Sequence, residues 1–142
     1  MTVNGQRRLI ARFYEEFDNG DIAAATSAFS EEVEITDPGI GTVHGIGPFR
    51  EYLESFKRAI PDGRAIVERL YETENALIVE GRFVGSHTGP LRGPGGDIQP
   101  TGASVDLRFA NVWRIEDGVV TSHHTYYDQL DLLTQLGLVR DA

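Results

Sequence analysis

Apolar residues first recur at every third or fourth position and later at every second one, which divides the chain into a helical front and a stranded back. Leu9, Ile10, Phe13 and Phe17 keep helical spacing with Arg7, Arg8, Arg12, Glu15 and Glu16 between them, predicting an amphipathic helix. Asp18-Asn19-Gly20 ends it, because Asn and Gly accept the left-handed conformation past a helix C-terminus. Asp21 is placed to cap a second short helix over residues 22–29. Residues 31–37 alternate around Val33 and Ile35 and read as a strand stopped by Asp37-Pro38-Gly39. A third helix starts near Gly47-Pro48, where proline suits the first turn, and lines Phe49, Tyr52, Leu53, Phe56 and Ile60 along one face.

Beyond Pro61-Asp62-Gly63 the period shortens. Residues 64–72 and 76–84 read as strands joined by a polar turn at Thr73-Glu74-Asn75. Residues 85–100 hold five glycines and three prolines and read as one long irregular stretch, either a lid or an exposed connector. Residues 105–115 and 119–127 flank Asp117-Gly118, a favoured two-residue hairpin turn. Leu130, Leu132, Leu133, Leu136 and Leu138 then suggest an apolar cover over the sheet edge or a dimer contact. Helices first and a mostly antiparallel sheet afterwards make an α+β domain rather than alternating βαβ units. With no repeat or linker visible, residues 1–142 read as one domain.

The last hairpin locates a site. If Glu116 faces Val119 and Ile115 faces Val120, one face carries Leu107, Phe109, Asn111, Trp113 and Ile115 opposite Asp128, Tyr126, His124, Ser122 and Val120. A solvated face would not concentrate Leu, Phe, Trp and Ile. A plain core would not hold a carboxylate, an imidazole and an amide, since each unpaired buried polar group costs about 1–3 kcal/mol. A ligand pocket accounts for the mixture. A register slip of one residue would put His123 in the place of His124 and remove Asp128 from the pocket.

Composition removes several function classes. The net charge of −9, from 22 acidic and 13 basic side chains, disfavours a nucleic-acid partner. There is no cysteine, so thiolate metal sites and cysteine nucleophiles are out, and a reducing compartment fits. The N-terminus lacks an apolar signal region and no apolar run is long enough for a membrane span, so a cytoplasmic protein without a membrane partner is expected. His123 and His124 are adjacent and point to opposite faces of a strand, while His44 and His87 have no partner nearby in sequence, so no metal site is expected. No phosphate loop, nucleophile elbow or dinucleotide fingerprint is present, and no cofactor is expected.

Several stretches resemble the SnoaL-like polyketide cyclases of the NTF2-like superfamily. They include Gly47-Pro48-Phe49-Arg50-Glu51-Tyr52-Leu53, Gly85-Ser86-His87-Thr88-Gly89, Phe109-Ala110-Asn111-Val112-Trp113-Arg114, His123-His124-Thr125-Tyr126-Tyr127-Asp128-Gln129-Leu130 and Gln135-Leu136-Gly137-Leu138. The resemblance extends over nearly the whole chain. It implies an NTF2-like cone, in which a strongly curved, mostly antiparallel sheet packs on about three N-terminal helices and encloses a cavity, usually in a homodimer. It also implies intramolecular aldol chemistry on a polyketide-like or aromatic carbonyl compound without metal or cofactor. The family's acid/base near the end of the last strand falls at Asp128. Related epoxide hydrolases carry an aspartate three residues earlier, where Thr125 stands.

On this reading Asp128 is the candidate general base, with capping of the segment that begins at Gln129 as its alternative role. His124 and His87 are candidate polar catalytic partners, His124 through proton sharing or enolate stabilisation and His87 from the pocket mouth. Asn111 and Tyr126 are candidates to orient a carbonyl or phenol. Trp113, Phe109, Tyr14 and Phe17 are candidate wall residues. Asp37 is a candidate to project from a strand end into the pocket, or to form an Asx turn. The competing function is a non-catalytic module that binds a small apolar ligand.

Overall fold

In the computed structural model, which describes residues 3–93 and 95–139, the first amphipathic stretch forms helix α1 (Val3–Asp18). Ile10, Phe13, Tyr14 and Phe17 turn inward and are buried. Helix α2 (Ile22–Ala25) starts on Asp21, whose carboxylate accepts from the Ala24 N–H at 3.0 Å. It is shorter than its sequence suggested: the Thr26 hydroxyl donates to Ile22 O at 2.8 Å, and strand β1 (Phe29–Asp37) follows. A four-residue strand, β2 (Gly41–His44), which the alternation did not reveal, folds back on β1. Helix α3 (Ile46–Ala59) buries Phe49 and Leu53. Lys57 of α3 donates to Asp18 O at 2.9 Å and Gly63 O at 2.8 Å, tying the two long helices to the start of β3 (Arg64–Glu72).

Strand β4 (Leu77–Ser86) pairs with β3, as the sequence predicts. The glycine-rich stretch is not wholly irregular, since it holds a small hairpin of β5 (Leu91–Gly93) and β6 (Gly96–Ile98). Pro94 lies outside the described residues. Strands β7 (Ser104–Glu116) and β8 (Val119–Tyr127) meet at Asp117-Gly118, where φ is 51° and 78° as a two-residue turn of this type requires. The six-stranded sheet runs β2-β1-β8-β7-β4-β3. All neighbours are antiparallel except β1 and β8, which run parallel. Irregular registers in the β1–β8, β3–β4 and β7–β8 pairs bend the sheet around α1 and α3.

One of these irregularities changes the hairpin. Glu116 pairs with Val119 and Ile115 with Val120 as expected, but Arg114 then pairs with Ser122, leaving Thr121 as the extra residue of a bulge. From there Trp113 faces His123, Asn111 faces Thr125 and Phe109 faces Tyr127. The inner and outer faces of β8 are therefore exchanged relative to a regular ladder.

Helix α4 (Gln129–Gln135) follows, with Asp128 as its N-cap. Leu132 and Leu136 are buried, whereas Leu130 and Leu138 stay exposed. β7 outruns β8 at its start, leaving backbone groups without a strand partner on that side. The Gln135 side chain fills the place of one residue: it accepts from Asp106 N at 2.8 Å and donates to Asp106 O at 2.9 Å. The C-terminal segment is thus a cover over the sheet edge. Among the described residues, no helix is long and apolar enough to cross a membrane.

Candidate active site

Between α1, α3 and the concave face of the sheet lies a cavity of about 100 Å³. Its walls are rings: Phe13 and Phe17 from α1, Phe49 and Phe56 from α3, Phe83 from β4 and Phe109 from β7. Seven polar side chains reach the same space, namely Tyr14, Asp37, Tyr52, Asn111, His123, Thr125 and Tyr127.

Asp37 closes β1 and is buried. Its Oδ1 accepts from the Gly39 N–H at 2.9 Å, forming the Asx turn, and from the Tyr52 hydroxyl at 2.9 Å. Oδ2 has no hydrogen-bond donor within the described protein. Gly39 permits this arrangement, since a β-carbon there would lie 2.5 Å from the Tyr52 hydroxyl oxygen. Burial raises the Asp37 carboxyl above the ordinary carboxylate range, a shift that its two hydrogen bonds only partly offset. The Tyr52 and Tyr127 hydroxyls are 3.5 Å apart. Because Tyr52 gives its proton to Asp37, the proton of Tyr127 remains uncommitted or reaches Tyr52 over that long contact. Burial pushes Tyr52 well above its usual value and Tyr127 up to about 12, so both stay protonated at neutral pH.

A second set of polar groups is linked by hydrogen bonds among its own members. The Tyr14 hydroxyl donates to Asn111 Oδ1 at 2.5 Å and accepts from Trp113 Nε1 at 3.4 Å, and Asn111 Nδ2 donates to Thr125 Oγ1 at 2.8 Å. Burial raises the Tyr14 pKa. Close by, the His123 ring lies among Phe13, Phe29, Phe49 and Trp113 with centroid separations of 4.3–5.8 Å. Neither of its nitrogens has a hydrogen-bond partner. Burial, with a smaller contribution from His124, lowers its pKa to about 3 and leaves a neutral imidazole.

Of the residues proposed from sequence, Asp37, Tyr14, Phe17, Phe109 and Asn111 line the cavity. The others do not. Asp128 is exposed and accepts from the Asp131 N–H at 3.1 Å as a helix cap. His124 points to the outer face, where Glu34 lies 2.8 Å from its Nε2 and also 3.6 Å from His44. Tyr126 is 53 % exposed. These three misplacements share one cause, the bulge at Thr121. Trp113 is fully buried behind Tyr14 and His123 and does not reach the cavity wall. His87 is buried away from the cavity, its Nδ1 accepting from the Thr101 N–H at 3.2 Å, and it anchors the end of the glycine-rich stretch to the sheet. Burial lowers its pKa. Among the described residues, no group of three His, Asp or Glu side chains is placed to hold a metal ion.

Residues 8–136 match the SnoaL-like polyketide cyclase family. The chain belongs to that family. Solved structures share the SnoaL-like fold at low identity. AclR of Streptomyces galilaeus, a candidate hydroxylase, superposes with a TM-score of 0.84 at 20 % identity, over 99 % of this chain and 90 % of that one. IdmH of Streptomyces antibioticus, a candidate polyketide cyclase, gives 0.77 at 23 % identity over 92 % and 97 %. A protein of ketosteroid isomerase-like fold from Catenulispora acidiphila, solved with trimethylamine, gives 0.75 at 17 % identity over 92 % and 93 %. No curated protein matches the chain. In this SnoaL-like chain, Tyr52, Tyr127 and Thr125 reach the cavity although the sequence did not mark them as site residues, and His123 takes the place of His124 as the one-residue slip in register predicts. The signal for Tyr52 was present in its place on the apolar face of α3. For Thr125 and Tyr127 it was hidden by the bulge.

Proposed function

We propose that this SnoaL-like protein is a cofactor-independent acid/base catalyst. Its substrate is a polyketide-like or aromatic carbonyl compound whose reacting end enters the ring-walled cavity. The observation that carries this reading is Asp37: a buried carboxyl on the cavity wall, fixed through Oδ1 and free at Oδ2. Its raised pKa brings the acid closer to the working range of a general base. Asp37 removes a proton from the carbon beside the carbonyl, and the electron pair moves onto the carbonyl oxygen. The Tyr127 hydroxyl, whose contact within the cavity is the 3.5 Å approach to Tyr52, donates a hydrogen bond to that enolate oxygen. Tyr52 keeps Asp37 in place. Return of the proton at another carbon completes an isomerisation. Attack of the enolate carbon on a second carbonyl of the same molecule forms a ring, and the resulting alkoxide takes the proton back from Asp37.

Deuterium exchange at the α-carbon of a simple aromatic 1,3-diketone, followed by NMR, tests the step without the natural substrate. The protein accelerates exchange, and Asp37→Asn lowers the acceleration by about 10²–10⁴-fold. Asn retains the Oδ1 acceptor for Gly39 and Tyr52, so the variant keeps the turn. Undiminished exchange in Asp37→Asn would remove Asp37 from the chemistry.

A further inference from the structure

Asp37 is a buried carboxyl without a counter-ion. Both hydrogen bonds to its Oδ1 come from neutral donors. The described ion pairs all lie elsewhere, and no Lys or Arg lines the cavity. A carboxylate removed from water is costly unless it is paired or neutralised. Two species can relieve it from within the cavity, a proton or a cation. The surroundings favour a particular kind of cation. Tyr52, Tyr127, Phe49, Phe56 and Phe109 share the cavity with Asp37, and aromatic faces attract cations by about 0.5–2 kcal/mol, more when desolvated. Around Asp37 the oxygens are one carboxylate and the neutral phenols of Tyr52 and Tyr127, fewer than the roughly six to eight oxygens a hard metal ion such as calcium collects, and most of the remaining wall is aromatic. A methylated ammonium is different, because its charge is spread over methyl groups that pack on rings.

Size agrees. An engineered apolar cavity of about 150 Å³ takes benzene, and this one, at about 100 Å³, suits a compact group such as trimethylammonium. We infer that the cavity binds a small methylated ammonium ion, with its charge against Asp37 and its methyl groups on the surrounding rings. A tertiary ammonium donates its one N–H to Asp37 Oδ2, and a quaternary one pairs by charge alone. Such an ion occupies the group used for proton transfer and competes with a carbonyl substrate. The inference does not require turnover, since a protein without catalysis would bind the same ion.

Calorimetric titration of the full chain with trimethylammonium and tetramethylammonium chlorides, against tert-butanol as the uncharged counterpart, tests it. About 0.15 M salt, where the Debye length is about 8 Å, screens loose attraction to the acidic surface. Both ammonium ions bind at least about tenfold tighter than tert-butanol, and Asp37→Asn removes that preference while leaving tert-butanol binding within about twofold. Upfield ring-current shifts of the bound methyl protons place the ion among the aromatic rings. In the unmodified protein, affinity falls as Asp37 is protonated by lowering the pH. The other ionisable groups of the cavity, Tyr14, Tyr52, Tyr127 and His123, keep their neutral forms through that range. Equal affinity for ammonium and tert-butanol, or ammonium binding indifferent to both Asp37→Asn and pH, overturns the inference and leaves the proton-transfer reading to its own test.

Discussion

At the scale of single residues, the cavity hydroxyls divide by whether their protons are already spent within the protein. The Tyr14 proton is held by Asn111 and its oxygen receives Trp113. Tyr127 has only the 3.5 Å contact with Tyr52. Opposite outcomes follow for the same substitution. Tyr14→Phe leaves the buried Asn111 acceptor without its donor and destabilises the fold by about 1–3 kcal/mol in urea titration. Tyr127→Phe leaves no buried partner stranded, so it changes stability by less than about 1 kcal/mol but slows α-proton exchange on a bound ketone by at least about tenfold. A Tyr127→Phe variant with undiminished exchange would mean that another donor meets the enolate. Asp37 was legible because a carboxylate before Pro38 must either turn the chain or face inward, and here it does both. On β8 the neighbours are His123-His124 and Tyr126-Tyr127. Identical residues stand on both faces, so residue type alone cannot say which face is inside.

Among elements, those with a strong period were legible and those defined by pairing were not. α1 and α3 follow from their apolar stripes, and the β7–β8 turn follows from Asp117-Gly118. β2 and the β5–β6 hairpin are three or four residues long, too short for alternation to register. The bulge at Thr121 is a property of two strands together and leaves no mark on one of them. The same element-level view reassigns Asp128 to α4. Asp128→Ala removes the acceptor for the Asp131 N–H and costs about 1 kcal/mol, while ketone exchange stays at the unmodified rate. Gln135→Ala removes both side-chain bonds to the Asp106 backbone and costs about 1–2 kcal/mol. Denaturant titration of the two variants, beside their exchange rates, separates a helix that holds the sheet edge from one that carries the acid. Loss of exchange in Asp128→Ala with the fold intact would return that role to Asp128.

For the molecule as a whole, the parallel β1–β8 pair matters most. Thr36 lies beside His124, so β1 and β8 run together toward one end of the cavity, where Asp37 and Tyr127 lie 90 positions apart in the chain and α3 adds Tyr52. No local pattern predicts that meeting, because it is a product of topology. Buried groups then give global stability a pH dependence of both signs, His123 and, through its own lowered pKa, His87 acting in one sense and Asp37 in the other. His123 has a folded pKa of about 3 against 6.5 for an ordinary histidine. The unfolded chain therefore binds a proton that the folded chain refuses, and stability falls as pH drops below 6.5, by about 1.4 kcal/mol per pH unit from this group. Asp37 acts the other way: its folded pKa is raised, so its favourable contribution is present in acid and is lost as pH rises through that folded value. Asp37→Asn accordingly stabilises the protein near neutral pH, and the gain disappears below the ordinary carboxylate range. His123→Phe fits the surrounding aromatic cluster and flattens the decline between pH 6.5 and about 3. Unfolding free energies from urea titrations across this range distinguish the two effects. A decline of unchanged slope in a folded His123→Phe protein would show that His123 takes up its proton in the native state, and the imidazole would then be an ionisable member of the cavity rather than a permanently neutral one.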